Sequence, residues 1–548
     1  MKLRVAFLVA VCLTCASSLA GAQHDHSMSK AAPANLQAGM GSLHHPIATA
    51  SDQAQKFFDQ GLTLIYAFNF SEAIRSFDRA AEFDPHSPMP LWGKALALGP
   101  NYNEAQPERE KSAYDVIQKA RALAASAPES ERAYVEALAL RFTSDPKPDY
   151  DKLARAYAAA MHDLSQRYPD DPDAATLYAE SLMDLHPWNL WTADGKPAEN
   201  TLEIVSVLEG VLRRWPDHVG ANHFYIHAME ASPNPEHALA SAHRLETAVP
   251  SAGHLVHMPS HIYARTGDFD QAVKSNAQAV AVDNTYKRAM ANPDMMYLMM
   301  YGQHNLHFLV YAAMMDGDFP AASENAEELT QRSKMGVAEV PPIEGFMPWQ
   351  MFVLVRFGRW DDVLALPQPD AKLKGLTFFW RYARGCAFAE KGDAAKAETE
   401  RAAMEVVYKG IPGGPAFEML YNDWPTIHDL AADTLDARIA AARGDRSGAI
   451  AKWRAAIATQ DQMHYDEPPD WFYPVRESLG ALLLAGGQAA EAEQVFRDDL
   501  QKNPRNPRSL YGLWKALDQQ KKTVDARWVQ SSFEAAWKGA SAPSLADF

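Results

Sequence analysis

The sequence predicts an all-α fold, a right-handed superhelix built from paired helices. Three observations carry that expectation. Apolar residues recur at helical spacing from about residue 52 onward, without the sustained alternation that strands require. Short signatures that combine small residues, a turn glycine and an aromatic residue return along the chain. Two histidine stretches, "HFYIHAME" at 223–230 and "HLVHMPSHIY" at 254–263, carry matching His-x-x-x-His pairs 34 residues apart.

The elements follow in order. Lys2 and Arg4 precede an apolar run from Val5 to about Ala16, and Ala20-Gly21-Ala22 makes a cleavage pattern. Residues 1–22 therefore read as a secretory signal peptide, which points to the periplasm. Of three cysteines only Cys386 lies beyond this leader, so no internal disulfide is expected despite an oxidising destination. The formal net charge of −17 disfavours nucleic acid and anionic membrane surfaces as partners. No later run approaches the length of a membrane span, about 18 apolar residues. Residues 23–50 are rich in Ala, Gly, Ser and His, include "HDHSM" at 24–28 and "LHHP" at 43–46, and are expected to be flexible.

The repeats begin after this segment. In "GLTLIYAFNFSEAIRSFDRAAEFDP" the residues Gly61, Ala73, Phe77, Ala80 and Pro85 fall at tetratricopeptide (TPR) spacing, in which small residues let two helices meet. The pattern returns around Gly267, Gly317, Gly358, Gly392, Gly444 and Gly487. The units divide into an N-terminal TPR-like solenoid over 51–334 and a C-terminal one over 335–548. Pro- and aromatic-rich inserts, "HPWNLW" and "PPDWFYP", interrupt them. A solenoid of helix pairs has a concave face lined mainly by the first helix of each pair. The interval of 34 is thus one repeat.

Counted from each turn glycine, His223 and His257 share one position, and His227 and His261 another. His307 and Tyr311 take the same two positions in the next unit, displaced by the insertion "NTYKRAMANPDMMYLMMYGQ". His254 and His304 share a third. At about 100° per residue these positions cluster on one face of the helix, away from the packing face. Seven histidines (His223, His227, His254, His257, His261, His304 and His307) are therefore expected to project from three adjacent helices into one groove. Glu230 joins them, with Tyr263, Tyr301, Asn305, Tyr311 and Met258 nearby. His186 and Trp188 in one insert, and Trp471 and Tyr473 in the other, are candidate covers.

Imidazoles one helical turn apart can share a metal ion. Zinc or copper suits such a donor set, iron less well. Met290, Met295, Met296, Met299 and Met300 crowd the insertion and add a copper-handling reading, although methionine equally fills irregular cores. A metal site with an open position would serve an enzyme. The same groove can instead hold a peptide or small-molecule ligand, as in a non-catalytic adaptor. HExxH, G-x-S-x-G and the phosphate-binding glycine loops are absent from the sequence.

Several stretches look familiar. They include "LHHPI" (43–47), "WGKALALGPNYN" (92–103), "SLMDLHPWNLWTADGKP" (181–197) and "GANHFYIHAMEAS" (220–232). "AGHLVHMPSHIYARTGDFDQA" (252–272), "HNLHFL" (304–309) and "EPPDWFYPVRESLGALLLAGG" (467–487) continue the series. Together they resemble a large group of exported bacterial TPR proteins, over nearly the whole mature chain. The resemblance implies a TPR fold and export. It brings no reaction with it.

Overall fold

A computed structural model describes residues 34–548 except 104, 106, 291, 415, 416 and 418–421. The signal peptide and "HDHSM" lie outside the described residues. What is described is all-α, a solenoid in which each helix packs on the next along the chain.

The small residues of the repeat explain the pairing. Helices α1 (Asp52–Tyr66), α2 (Phe70–Phe83) and α3 (Met89–Leu98) close around Phe77 of α2. A Cβ on Gly61 of α1 would fall 2.6 Å from the Phe77 ring, and one on Gly93 of α3 would come closer still. Hydrogen in place of a side chain lets both neighbours clasp one aromatic ring. Phe496 is held in the same way between Gly480 and Gly512 near the other end of the chain.

The histidine-bearing helices occupy the middle. They are α4 (Val219–Glu230), α5 (Gly253–His257), α6 (Pro259–Thr266), the long α7 (Phe269–Ala289) and α8 (Gln303–Asp316). Gly267 ends α6 at φ 76° and Gly317 ends α8 at φ 87°, both left-handed caps that favour glycine. The insertion extends α7 and then turns back through a short helix, Met295–Tyr297, and a wide π-type turn, Leu298–Gly302.

The array does not leave an open groove. Helix α4 packs against α1. At the far end, Asp268 pairs with Arg505, and the Lys538 backbone N–H donates to the Asp316 carbonyl at 2.9 Å. Both ends of the superhelix thus return to its middle. The buried apolar residues form two main clusters, one from Ala34 to Ala272 with Ala312 and one from Phe269 to Phe548. They meet at α7 and α8, ahead of residue 334.

The expectation of a flexible segment over 23–50 is corrected for its described part. Ala34, Met40 and Ile47 are buried. The Gln37 backbone N–H donates to Gln60 Oε1 at 2.7 Å, and His45 Nδ1 lies 2.9 Å from Asp173 Oδ2. Composition marked the segment as mobile, but a few apolar and polar contacts with α1 and the helix Pro172–Met183 hold it as a strap. No helix among the described residues is long and apolar enough to cross a membrane.

Candidate metal centre

Helix α4 is buried along its whole length and presents His223 and His227 one turn apart. Pro259 lacks a backbone donor and restarts the helix after His257, so α5 and α6 are separate segments. His254, His257 and His261 therefore converge from two short helices. His304 comes from α8.

Six histidines gather in two adjacent triads, one of His223, His227 and His254, the other of His257, His261 and His304. Within each, one nitrogen per ring lies within 4.8 Å of the others. Ring centroids are 4.8 Å apart for His223–His227 and 4.6 Å for His257–His261. Between triads, His254–His257 and His227–His261 are each 5.7 Å apart. All but the half-buried His304 are buried.

The outer nitrogens are held by acceptors. His223 Nδ1 donates to the Tyr66 carbonyl at 2.6 Å, and His227 Nδ1 to Glu230 Oε1 at 2.9 Å. His257 Nδ1 lies 2.6 Å from Asn276 Oδ1, whose amide is oriented by its own donation to the Ala272 carbonyl at 2.8 Å. His261 Nδ1 lies 2.8 Å from Glu230 Oε2 and also meets Glu467. A proton on Nδ1 leaves Nε2 of His223, His227 and His257 as a bare lone pair, whereas His261 Nδ1 makes no hydrogen bond among the described residues. The Nε2 atoms of His257 and His261 nonetheless face each other at 2.6 Å. Those of His223 and His254 are 3.1 Å apart.

Burial lowers the pKa of every ring in the two triads, and neighbouring imidazoles lower most of them further. His227 is brought down to about 3 by burial, and His304 to about 4 by burial and the His227 charge. His223, His254, His257 and His261 fall well below the usual imidazole range. The rings are neutral, the state in which imidazole binds metal. Burial raises the carboxyls of Glu230 and Glu467, which lie together behind His261.

Aromatic rings wall the first triad. Phe68 lies 4.6 Å from His223 and 5.1 Å from His254, Tyr301 meets His254 edge-on at 5.1 Å, and Tyr102 and Trp188 flank His227. Phe68 and Trp188 both adopt positive φ, 54° and 59°, a strained backbone that the surrounding packing enforces. Trp191 Nε1 donates to the Ala228 carbonyl at 2.7 Å and pins the 186–197 insert to α4.

Other expected residues lie elsewhere. His307 is three residues from His304, about 60° around α8, and packs edge-on against Trp349 at 4.1 Å rather than joining a triad. Tyr263 turns away to Glu246 and stacks near His243. Asn305 donates to Asp283 at 2.7 Å and steadies α8 against α7. Met258, Met314 and Met315 are core residues, while Met295 and Met296 are exposed. His186 sits 3.4 Å from Glu199, and Tyr473 lies in the C-terminal core beside Phe472. Cys386 is buried there too, its thiol pushed up to about 11 by burial.

Sequence reasoning passed over Glu467, Phe68, Tyr102, Asn276 and the Tyr66 carbonyl. The signals of all but Asn276 were present in "EPPDWFYP", "YAFNF" and "GPNYN", but which residue of each faces the histidines depends on how distant units close. A cleft of about 170 Å³ opens beside the second triad, with His261 and Glu467 in its lining, Phe308, Tyr311 and Trp471 in its walls, and Arg265 and Asp470 across them. A separate cluster joins His45, His218 and Tyr66 to Asp173 at 2.6–3.1 Å. Burial alone would raise Asp173, but His218 and His45 hold it well below the carboxylate range. These groups satisfy one another.

No family model and no curated protein matches the chain. Among solved structures, the human IFIT1 dimer with m7Gppp-AAAA is similar at 12% identity, covering 89% of this chain and 91% of that one with a TM-score of 0.33. The human IFIT1 dimer with PPP-AAAA gives 13% identity, 89% and 91% coverage and a TM-score of 0.32. The P58(IPK) TPR domain gives 12% identity, 81% and 99% coverage and a TM-score of 0.22.

Proposed function

We propose that the chain is an exported, periplasmic metalloprotein of the TPR type whose solenoid holds two transition-metal ions, one in each histidine triad. The convergence of one nitrogen from each of three imidazoles within 4.8 Å in both triads, with Nδ1 of His223, His227 and His257 already held by acceptors, carries this reading. A cation at that point would take up the lone pairs that these rings turn inward. Zinc–imidazole bonds of about 2.0–2.1 Å set tetrahedral donors roughly 3.3 Å apart, within the 4.8 Å span of each triad. Neutral imidazole donors suit zinc and copper. Glu230 accepts from His227 Nδ1, the partner that carboxylate–histidine–metal arrangements place behind a ligand. The half-buried His304 gives the second ion its more accessible side.

An adaptor would need these histidines on an open groove, and five of the six are buried. Elemental analysis of protein exported in metal-replete medium tests the proposal. Two ions per chain are expected, falling to one in the His257→Ala/His261→Ala variant. Wild-type protein holding under about 0.1 ion per chain would sink it.

A further inference from the structure

The cleft beside His261 has features that the metal centre does not use. Arg265 donates from Nε to the Glu230 carbonyl at 2.8 Å and from Nη2 to the Ser232 carbonyl at 3.4 Å, with Tyr465 stacked 5.4 Å beneath it. Both acceptors are neutral, and no carboxylate among the described residues pairs with this guanidinium. The Glu230 carboxyl lies near this cation without pairing with it, and a sequestered guanidinium held only by carbonyls favours an incoming anion. The Trp471 indole N–H, with the residue 1% exposed, finds no acceptor among the described residues. Asp470 presents the opposite need. Its Oδ2 accepts from Asn422 Nδ2 at 2.6 Å, and its carboxyl lies hydrogen-bonded against that of Asp466 in the same lining, a pair of acids that an incoming cation stabilises.

One cleft thus offers a site for an anion, a site for a donor and aromatic walls from Phe308, Tyr311 and Trp471. Lys502 at its rim is already paired with Asp461 at 3.0 Å and adds little demand. We infer that the cleft binds a free α-amino acid with an apolar or aromatic side chain, its carboxylate on Arg265 and the Trp471 N–H, its ammonium on Asp470. The side chain lies among the aromatic rings, and the inner end of the cleft reaches His261 and Glu467. The inference deepens the metal reading, because His261 links cleft and centre, but binding itself does not require the ion.

Calorimetric titration with L-phenylalanine, 3-phenylpropanoate and phenethylamine tests it on the full-length protein. L-Phenylalanine should bind tightest. Arg265→Gln should weaken L-phenylalanine and 3-phenylpropanoate by roughly 10-fold or more and leave phenethylamine unchanged. Asp470→Asn should weaken L-phenylalanine and phenethylamine but not 3-phenylpropanoate. Equal affinity for all three compounds, or no binding of L-phenylalanine at about 10 mM, overturns the inference. If a variant fails to fold, the three-compound comparison on wild type still decides. Metal content is measured on the same samples. Binding without metal leaves this inference standing and removes the metal reading, and metal without binding does the reverse.

Discussion

At the scale of the residue, the centre is governed by which nitrogen of each imidazole carries the proton. Asn276 is the clearest case. It holds His257 Nδ1 at 2.6 Å and so presents Nε2 to the second triad. Asn276→Ala removes that acceptor without touching a proposed ligand. Metal affinity should fall about 10–100-fold, read by competition with a chelator of known affinity. An unchanged affinity would mean that His257 is not oriented for an ion. The repeat positions made His223, His227, His257 and His261 legible in the sequence, since helical spacing alone places them on one face. His307 was misplaced because a three-residue step turns a side chain about 60° from its neighbour, enough here to exchange a triad for Trp349. Glu467 was not legible as a partner of His261, because only closure of the superhelix brings it there.

At the scale of the element, the pairing of helices depends on a few clasped rings and on the strap over 34–50. Phe77→Ala should destabilise the N-terminal half by roughly 3–5 kcal/mol, measured by urea unfolding, because α1 and α3 both close on that ring. The strap responds to pH. Burial pulls the His45 pKa down, but the hydrogen bond and charge of Asp173, with Asp171 and Asp59 behind it, leave it raised above 6.5. A histidine raised in the fold stabilises fully below about 6.5 and loses that contribution as pH rises through its folded pKa. Limited proteolysis within 34–50 should therefore speed up from pH 6 toward pH 8 in wild type, and be fast at both in His45→Gln. A rate independent of pH in wild type would remove His45 from this role. The TPR units were readable from their small residues and turn glycines. The strap was not, because its order comes from partners such as Gln60 and Asp173 that lie far along the chain.

At the scale of the whole molecule, a solenoid is ordinarily a chain of nearest-neighbour contacts that can melt unit by unit. Here distant units are tied together. The Tyr66 carbonyl serves His223, Glu467 reaches His261, and Arg505 meets Asp268. Fold class was readable from periodicity, whereas this closure was not, since the contacts join residues 157 to 237 positions apart.

Glu467 also sets an order of events in time. A chain emerging N-terminus first completes both histidine triads well before the segment that covers His261 exists. An ion that arrives in that interval meets no cover over His261, while an ion offered to the finished protein must pass His304 or thread the cleft beside Glu467. Purified metal-free protein should therefore take up zinc slowly, and at least about 10-fold faster in a urea concentration that loosens but does not unfold it. Instant uptake by the native metal-free protein would show that the cover is no barrier. On the proposed metal reading the C-terminal half is a seal as much as a scaffold, and the order of synthesis would set which ion is enclosed.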